Sequence, residues 1–128
     1  MTRESEQAVS LAIPMAPQTV FALLENERRR RVLLSLSRVA DEITVGQLAV
    51  EIAAIENEID PNKIGSNERT SVYIALIQSH LNTLDDAGAI DYRERSKVVR
   101  PTAATEPLAE YIRRLQTACY RPDQEDSL

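Results

Sequence analysis

Aromatic side chains are scarce in this chain. They make up 4% of the 128 residues, and there is no tryptophan. The core must therefore be aliphatic, which the 43% hydrophobic content allows and which favours helices. A chain of this length suits one domain with one hydrophobic core, so a second independent domain is not expected.

Cysteine and histidine occur once each, as Cys119 and His80. A lone cysteine cannot form an internal disulfide, which fits a reducing compartment and predicts a cytoplasmic protein. His80 has no second histidine or nearby cysteine with which to bind a metal ion, so we predict a packing or capping role for it. The three glycines form no phosphate-binding loop, and no histidine is paired with a nucleophile. We therefore predict no catalytic residues, no metal and no cofactor, and nothing in the sequence indicates a small-molecule ligand.

Long apolar runs are also missing. The stretch from Ala8 to Ala16 is interrupted by Pro14 and follows two glutamates, so neither a signal peptide nor a membrane span is expected. Residues 1–16 and the acidic end, 120–128, lack sustained periodicity and are predicted to be flexible.

Lysine is rare: thirteen of the fifteen basic residues are arginine, and twenty acids give a formal net charge of −5. This bias resembles that of proteins from salt-loving organisms. High salt weakens the electrostatic forces on which DNA binding depends, so the acidic total does not by itself exclude a DNA-binding protein.

Apolar periodicity predicts four helical segments. The first begins at Gln18 and continues, after a new N-cap at Asn26, to about Arg38. The second follows an N-cap at Thr44, and its apolar face is Val45, Leu48, Ala49, Ile52 and Ile55. Residues 56–66 then form a loop whose length has no evident functional reason.

The third and fourth helical segments flank a predicted hairpin. The third runs from an N-cap at Asn67 to a stop at Gly88, and its apolar face is Tyr73, Ile74, Ile77, Leu81 and Leu84. The hairpin strands are 90–92 and 98–100, joined by a polar turn. The fourth helix has Thr105 as its N-cap.

The stretch SHLNTLDDAGAIDY, residues 79–92, resembles the end of the recognition helix and the first wing strand of the ArsR-like winged helix-turn-helix superfamily. The matching positions are His80, Leu81, Leu84, Ala87, Gly88 and Ile90. The segments 26–33 and 72–92 together resemble a group of haloarchaeal winged-helix domains of unknown function.

This resemblance implies a mainly α fold with a small β-hairpin: a winged helix-turn-helix over residues 17–102, followed by an additional helix over 103–119. It implies an intracellular transcriptional regulator that binds double-stranded DNA, with the third helix in the major groove and the hairpin as the wing. Winged helices also serve as protein-interaction modules that do not bind DNA, and that alternative stays open.

Polar side chains off the apolar face of the third helix are the candidates for base contacts, because Gln and Asn pair with adenine and Ser meets bases or phosphates. They are Ser71, Gln78 and Asn82. The candidates for contact with the DNA backbone are Thr70, Arg93, Arg95, Lys97 and Arg29. One arginine against three acids on the third helix opposes DNA binding, whereas the hairpin carries four basic residues against two acids.

Four consecutive arginines, 28–31, do not form one basic face, because successive helical residues point about 100° apart. They are either a solvated girdle, with Arg31 paired to Glu27, or the source of one or two phosphate contacts. Arg29 is on the side of Leu33, where its stem can cover the edge of the core.

The last helix carries an apolar stripe. Its members, Leu108, Tyr111, Ile112, Leu115 and Cys119, are candidates for a homodimer interface. A two-fold dimer would match a palindromic operator, and packing against the helix's own domain is the alternative.

Overall fold

A computed structural model describes residues 12–119. The fold is mainly helical, with a small three-stranded antiparallel sheet. In chain order the elements are α1 (Pro17–Leu24), α2 (Glu27–Leu36), β1 (Ile43–Thr44), α3 (Val45–Asn57), a 3-10 turn (Pro61–Lys63), α4 (Ser66–Ala75), a π-turn (Leu76–His80), α5 (Leu81–Asp86), β2 (Ile90–Arg93), β3 (Val98–Pro101) and α6 (Thr105–Ala118). Within the described residues, none of the helices combines the length and apolarity that a membrane crossing requires.

The predicted caps of α2 and α3 are confirmed. The Asn26 side chain accepts a hydrogen bond from the Arg29 backbone N–H at 3.1 Å. Thr44 and Gln47 form a reciprocal capping box, in which Thr44 Oγ1 accepts from the Gln47 N–H at 3.1 Å. Both helices start where a short polar side chain can satisfy backbone donors that no helical carbonyl can reach.

The predicted N-caps of the third and fourth helices are wrong. Gly65 is the N-cap of α4, so Asn67 lies inside the first turn. Ala104 is the N-cap of α6, and Thr105 is its first residue. The Thr105 hydroxyl is used elsewhere: it accepts from the Thr102 N–H at 2.8 Å and donates to the Ala89 carbonyl at 2.7 Å.

The long third helical stretch contains a π-turn that its sequence pattern did not reveal. The Leu81 N–H bonds to the Leu76 carbonyl five residues earlier, so this turn holds one residue more than an α-turn. Leu76 and Leu81 are both fully buried, although a five-residue spacing in an α-helix would turn them about 140° apart. The π-turn therefore keeps both leucines in the core.

The sheet has the order β1-β3-β2. The hairpin prediction is confirmed, with Arg93 opposite Val98 at the start of the connecting turn. Strand β1 was not predicted; it pairs Ile43 with Val99 and attaches the start of α3 to the hairpin. Gly88 ends the preceding helix with φ 81°, a left-handed conformation that glycine adopts without steric cost.

The core is aliphatic, as the composition predicts, but two residues assigned to buried faces lie largely outside it. Ile55 is 40% exposed and Ile74 is 43% exposed. A helix has room for only one stripe against its neighbours, and Ala53 and Val72 are buried on those stripes instead.

Candidate nucleic-acid interface

The side of α4, the π-turn and α5 that points away from the core carries a row of exposed residues. We call this row the outward face; its members are Thr70, Ser71, Ile74, Gln78 and Asn82, all exposed. Residues 74, 78 and 82 follow one another at four-residue intervals. The wider π-turn offsets the drift of about 40° that four-residue steps accumulate in an α-helix, so these side chains stay in line. Gln78 and Asn82, two of the three predicted base-contact residues, thus line up with Ile74, and Ser71 is exposed about one turn before it.

The acids of this helical stretch are placed mostly away from the outward face. Glu68 folds back over Gly65, where its Oε1 lies 2.5 Å from the point a Cβ would occupy. Asp85 is half-buried, and its Oδ1 accepts a hydrogen bond from the Tyr92 N–H at 2.9 Å, which ties α5 to β2. Asp86, however, is exposed four residues after Asn82, so a negative charge borders the outward face, whose own five residues are uncharged.

The hairpin cations divide into paired and unpaired groups. Arg93 forms an ion pair with Asp91 at 3.1 Å, and this hydrogen-bonded partner raises the pKa of its guanidinium. Arg95 and Lys97 have no carboxylate partner within residues 12–119. Lys97 instead donates to the Glu94 carbonyl at 3.0 Å and holds φ 56°. Among the described residues, the turn thus presents two cations without an ion pair, next to the exposed acid Glu94.

The four arginines at 28–31 are all engaged inside the protein. Arg28 binds Glu56 through two hydrogen bonds of 2.7 and 2.6 Å, which joins α2 to the end of α3. Arg31 pairs with Glu27 at 2.5 Å, which confirms the predicted contact. Arg29 donates to the carbonyls of Leu23 and Ala22 at 3.0 and 2.7 Å.

Arg30 donates to the Leu24 carbonyl. Arg29 and Arg30 thus cap the carbonyl end of α1, where helical carbonyls have no partners of their own. The sequence did not identify these carbonyl partners, and the position of the Arg29 stem over the core edge stays a prediction. The basic run therefore connects α2 to α3 through Arg28 and to α1 through Arg29 and Arg30.

A cleft of about 350 Å³ lies between the first turns of α3 and α4 and was not anticipated from the sequence. Its lining includes Gln47, Arg69, Thr70 and Tyr73. Arg69 is exposed and has no carboxylate partner among the described residues. The sequence pattern identified Arg69 only as one of the four charged residues of the third helix. The packing of α4 against α3 places it next to Thr70 at this cleft.

His80 lies in the π-turn, where its Nδ1 is buried without a hydrogen-bond partner among the described residues. Burial lowers the pKa of the imidazole below its ordinary 6.5, and the positive charges of Arg29 and Arg28 lower it further, while Glu56 opposes them. The charges of Arg28 and Arg29 thus disfavour the protonated form of His80.

We expect acidification to destabilise the protein through His80. Because the folded-state pKa lies below the unfolded value, the unfolded chain binds more protons, and stability falls as the pH drops through the ordinary value of 6.5. Urea unfolding at several pH values from about 8 to about 5 would show this fall. The His80→Gln variant should lose less stability over the same range; an equal loss in both proteins would contradict the assignment.

The dimer candidates on α6 occupy two different environments. Leu108 and Ile112 are buried in the core of their own chain. Leu115 is 37% exposed, and Cys119 is also exposed. Only the outer part of the predicted stripe is thus available to another molecule.

One family model matches residues 21–100, which is more than half of the chain: Domain of unknown function (DUF7344). The match covers the elements from α2 to β2 and β3 up to its last residue but one, and it therefore includes the outward face and the hairpin turn. No curated protein and no solved structure matches the chain.

Proposed function

Because the chain belongs to the DUF7344 family, a domain family of unknown function, we propose its function from the geometry: it is a winged helix-turn-helix protein that binds double-stranded DNA and regulates transcription. The outward face enters the major groove, with Ser71, Gln78 and Asn82 near base edges. Arg95 and Lys97 contact the DNA backbone.

The order of elements supports the winged-helix assignment. Three helical segments precede a hairpin, and the short strand β1 between the first and second segments completes a sheet of order β1-β3-β2. The helix that carries the outward face packs on α3, which begins at that strand. Two packed helices followed by a hairpin are what the winged fold requires, and this order supports the proposal.

The observation that carries the proposal is the combination of an exposed row of five uncharged residues on the helix with two hairpin cations, Arg95 and Lys97, that form no ion pair within residues 12–119. Gln78 and Asn82 can each donate and accept at a base edge, and Ile74 between Thr70 and Gln78 can contact a thymine methyl group. Arg69 and Thr70 at the α3–α4 cleft add a further backbone contact. Arg29 is left out of this set because its guanidinium is bound to α1 carbonyls.

We expect the double variant Arg95→Ala/Lys97→Gly to bind random duplex DNA more weakly and with a smaller salt dependence. Each lost phosphate contact should reduce the slope of log affinity against log salt by about 0.9, so two contacts reduce it by about 2. Glycine is chosen at 97 because the backbone there holds φ 56°. The measurement is a fluorescence-anisotropy titration with genomic duplex fragments over a series of salt concentrations.

The matched control is Arg38→Ala/Lys63→Ala, which removes the same charge from two exposed positions outside the proposed interface. If this control lowers the slope as much as the hairpin variant, the effect is one of net charge and the hairpin assignment fails. If the folded wild-type protein binds no duplex DNA at any salt concentration, the proposed function fails as a whole.

A homodimer is part of the proposal, because two-fold symmetry would present two outward faces to a palindromic site. A cleft of about 310 Å³ lined by Leu24, Leu115 and Cys119 among others lies at the exposed end of α6. Sedimentation velocity at several concentrations tests this part. A monomer throughout the range would contradict it while leaving DNA binding open.

A protein-interaction module on the same fold is the second candidate. Ile74 favours this second candidate. Its side chain is 43% exposed at the centre of the outward face, where it can make an apolar contact with a protein partner. The formal net charge of −5 also opposes DNA. Failure of the duplex titration would shift the proposal to this alternative.

A further inference from the structure

A shallow, open groove of about 590 Å³ lies along the C-terminal half of α3 and the loop that follows it. We call its apolar residues Ala54, Ile55 and Ile59 the floor, and its acidic residues Glu51, Glu58 and Asp60 the rim. Residues 58–61 of the predicted loop at 56–66 form one end of this groove. The sequence alone offered no functional reason for the length of that loop.

The floor of the groove is held rigidly. The Glu58 and Ile59 backbone N–H groups bond to the carbonyls of Ile55 and Ala54 at 3.3 and 3.1 Å, which is the hydrogen-bond pattern of a Schellman helix end. Ile55 is 40% exposed and Ile59 is 43% exposed, although both side chains project from this ordered end. Two isoleucines fixed side by side at the surface offer a partner apolar contact at low entropic cost.

The rim is acidic and unneutralised. Glu51, Glu58 and Asp60 form no ion pair within residues 12–119, whereas Glu56 on the same helix is bound by Arg28. The only cation in the lining is Arg38. The rim therefore repels phosphate and attracts basic groups.

Glu58 occupies a backbone position that ordinarily suits glycine. It holds φ 56° at the end of α3, a left-handed conformation that costs a side-chain-bearing residue about 1 kcal/mol relative to glycine. A glutamate at this position keeps a negative charge over the groove despite that cost.

The two ends of the chain do not complement this groove. Residues 1–11 and residues 120–128 each contain more acidic than basic side chains. We propose that the groove binds a basic segment of another protein, with aliphatic or aromatic side chains on the Ile55–Ile59 floor and Lys or Arg side chains at the rim. This contact is independent of the proposed DNA interface and would let the protein recruit a partner.

The test is a selection of phage-displayed random peptides of about 12 residues on the immobilised full chain. We expect the enriched peptides to combine Lys or Arg with large apolar residues. The strongest of them, synthesised with a fluorescent label, should lose at least about tenfold in affinity against Ile55→Ser/Ile59→Ser. It should also bind more weakly to Glu58→Gly, a change that removes a rim charge and relieves the backbone at the same position.

The matched control is Ile74→Ser, which changes an isoleucine of equal exposure on the outward face. It should leave peptide affinity unchanged. The proposal is overturned if no peptide is enriched, if the enriched peptides are acidic, or if Ile74→Ser weakens binding as much as the groove variant. Self-association of the wild type that the groove variant abolishes would also overturn it, because the occupant would then be a second copy.

Discussion

Deletion of Ser79 is expected to leave the protein folded, whereas deletion of Asn82 is expected to lower its free energy of unfolding by about 2–5 kcal/mol. Both residues are exposed and polar, and either deletion shortens the same helical stretch by one residue. Removing Ser79 turns the five-residue step from Leu76 to Leu81 into an ordinary step of four, which an α-helix accommodates. Both leucines then remain on the core side.

Removing Asn82 has a different consequence. If the π-turn relaxes to an α-turn to keep Leu84 in place, Leu81 rotates outward and His80 takes its position in the core. The loss of a fully buried leucine accounts for the expected cost. Urea denaturation followed by far-UV circular dichroism measures both variants. A similar loss for the two deletions would show that the π-turn is not a one-residue insertion in this helix.

Substitution of Thr105 by valine is expected to lower the free energy of unfolding by about 2–4 kcal/mol, because it removes a hydroxyl that makes two hydrogen bonds. Valine has nearly the same shape, so no cavity forms. The Ala89 carbonyl and the Thr102 N–H lose this partner at the place where β2, β3 and α6 meet, and Thr105 is only 1% exposed. Thermal or urea unfolding gives the measurement.

Substitution of Thr105 by serine distinguishes the contribution of the hydroxyl group to stability from that of the methyl group. Thr105→Ser keeps both hydrogen bonds and loses only one buried methyl, so it should cost about 1 kcal/mol. A loss for serine equal to that for valine would mean that packing, and not hydrogen bonding, makes Thr105 important.

Predictions that depended on near neighbours in the chain succeeded most often. Asn26 and Thr44 were identified as caps because a capping side chain bonds to a backbone group only three residues away. Gly88 was identified as a helix stop because its left-handed backbone is a local property. Gly65 escaped notice because it caps without a side chain, and Asn67, two residues later, offered a stronger local signal.

The sequence predicted only part of the candidate interface. Ser71, Gln78 and Asn82 were found because they lie off the apolar stripe. The π-turn, which the sequence pattern does not reveal, determines how Gln78 and Asn82 line up with Ile74. The acidic character assigned to this helix applies only in part to the face itself, because Asp85 is bonded to the Tyr92 backbone across the turn that starts the hairpin, whereas Asp86 is exposed.

The sequence by itself determined an aliphatic, mainly helical protein, the starts of α2 and α3, the hairpin and the end of the third helical stretch, because each depends on contacts between residues close in the chain. Tertiary structure decided the partners of the arginine run, the pairing of strand β1 with β3, and the exposure of Ile55 and Ile74. These depend on groups far apart in the sequence: Arg28 meets Glu56 and Ile43 meets Val99 only after the chain has folded. A two-residue strand has too little pattern to be recognised alone, and an apolar helix face is buried only where another element covers it.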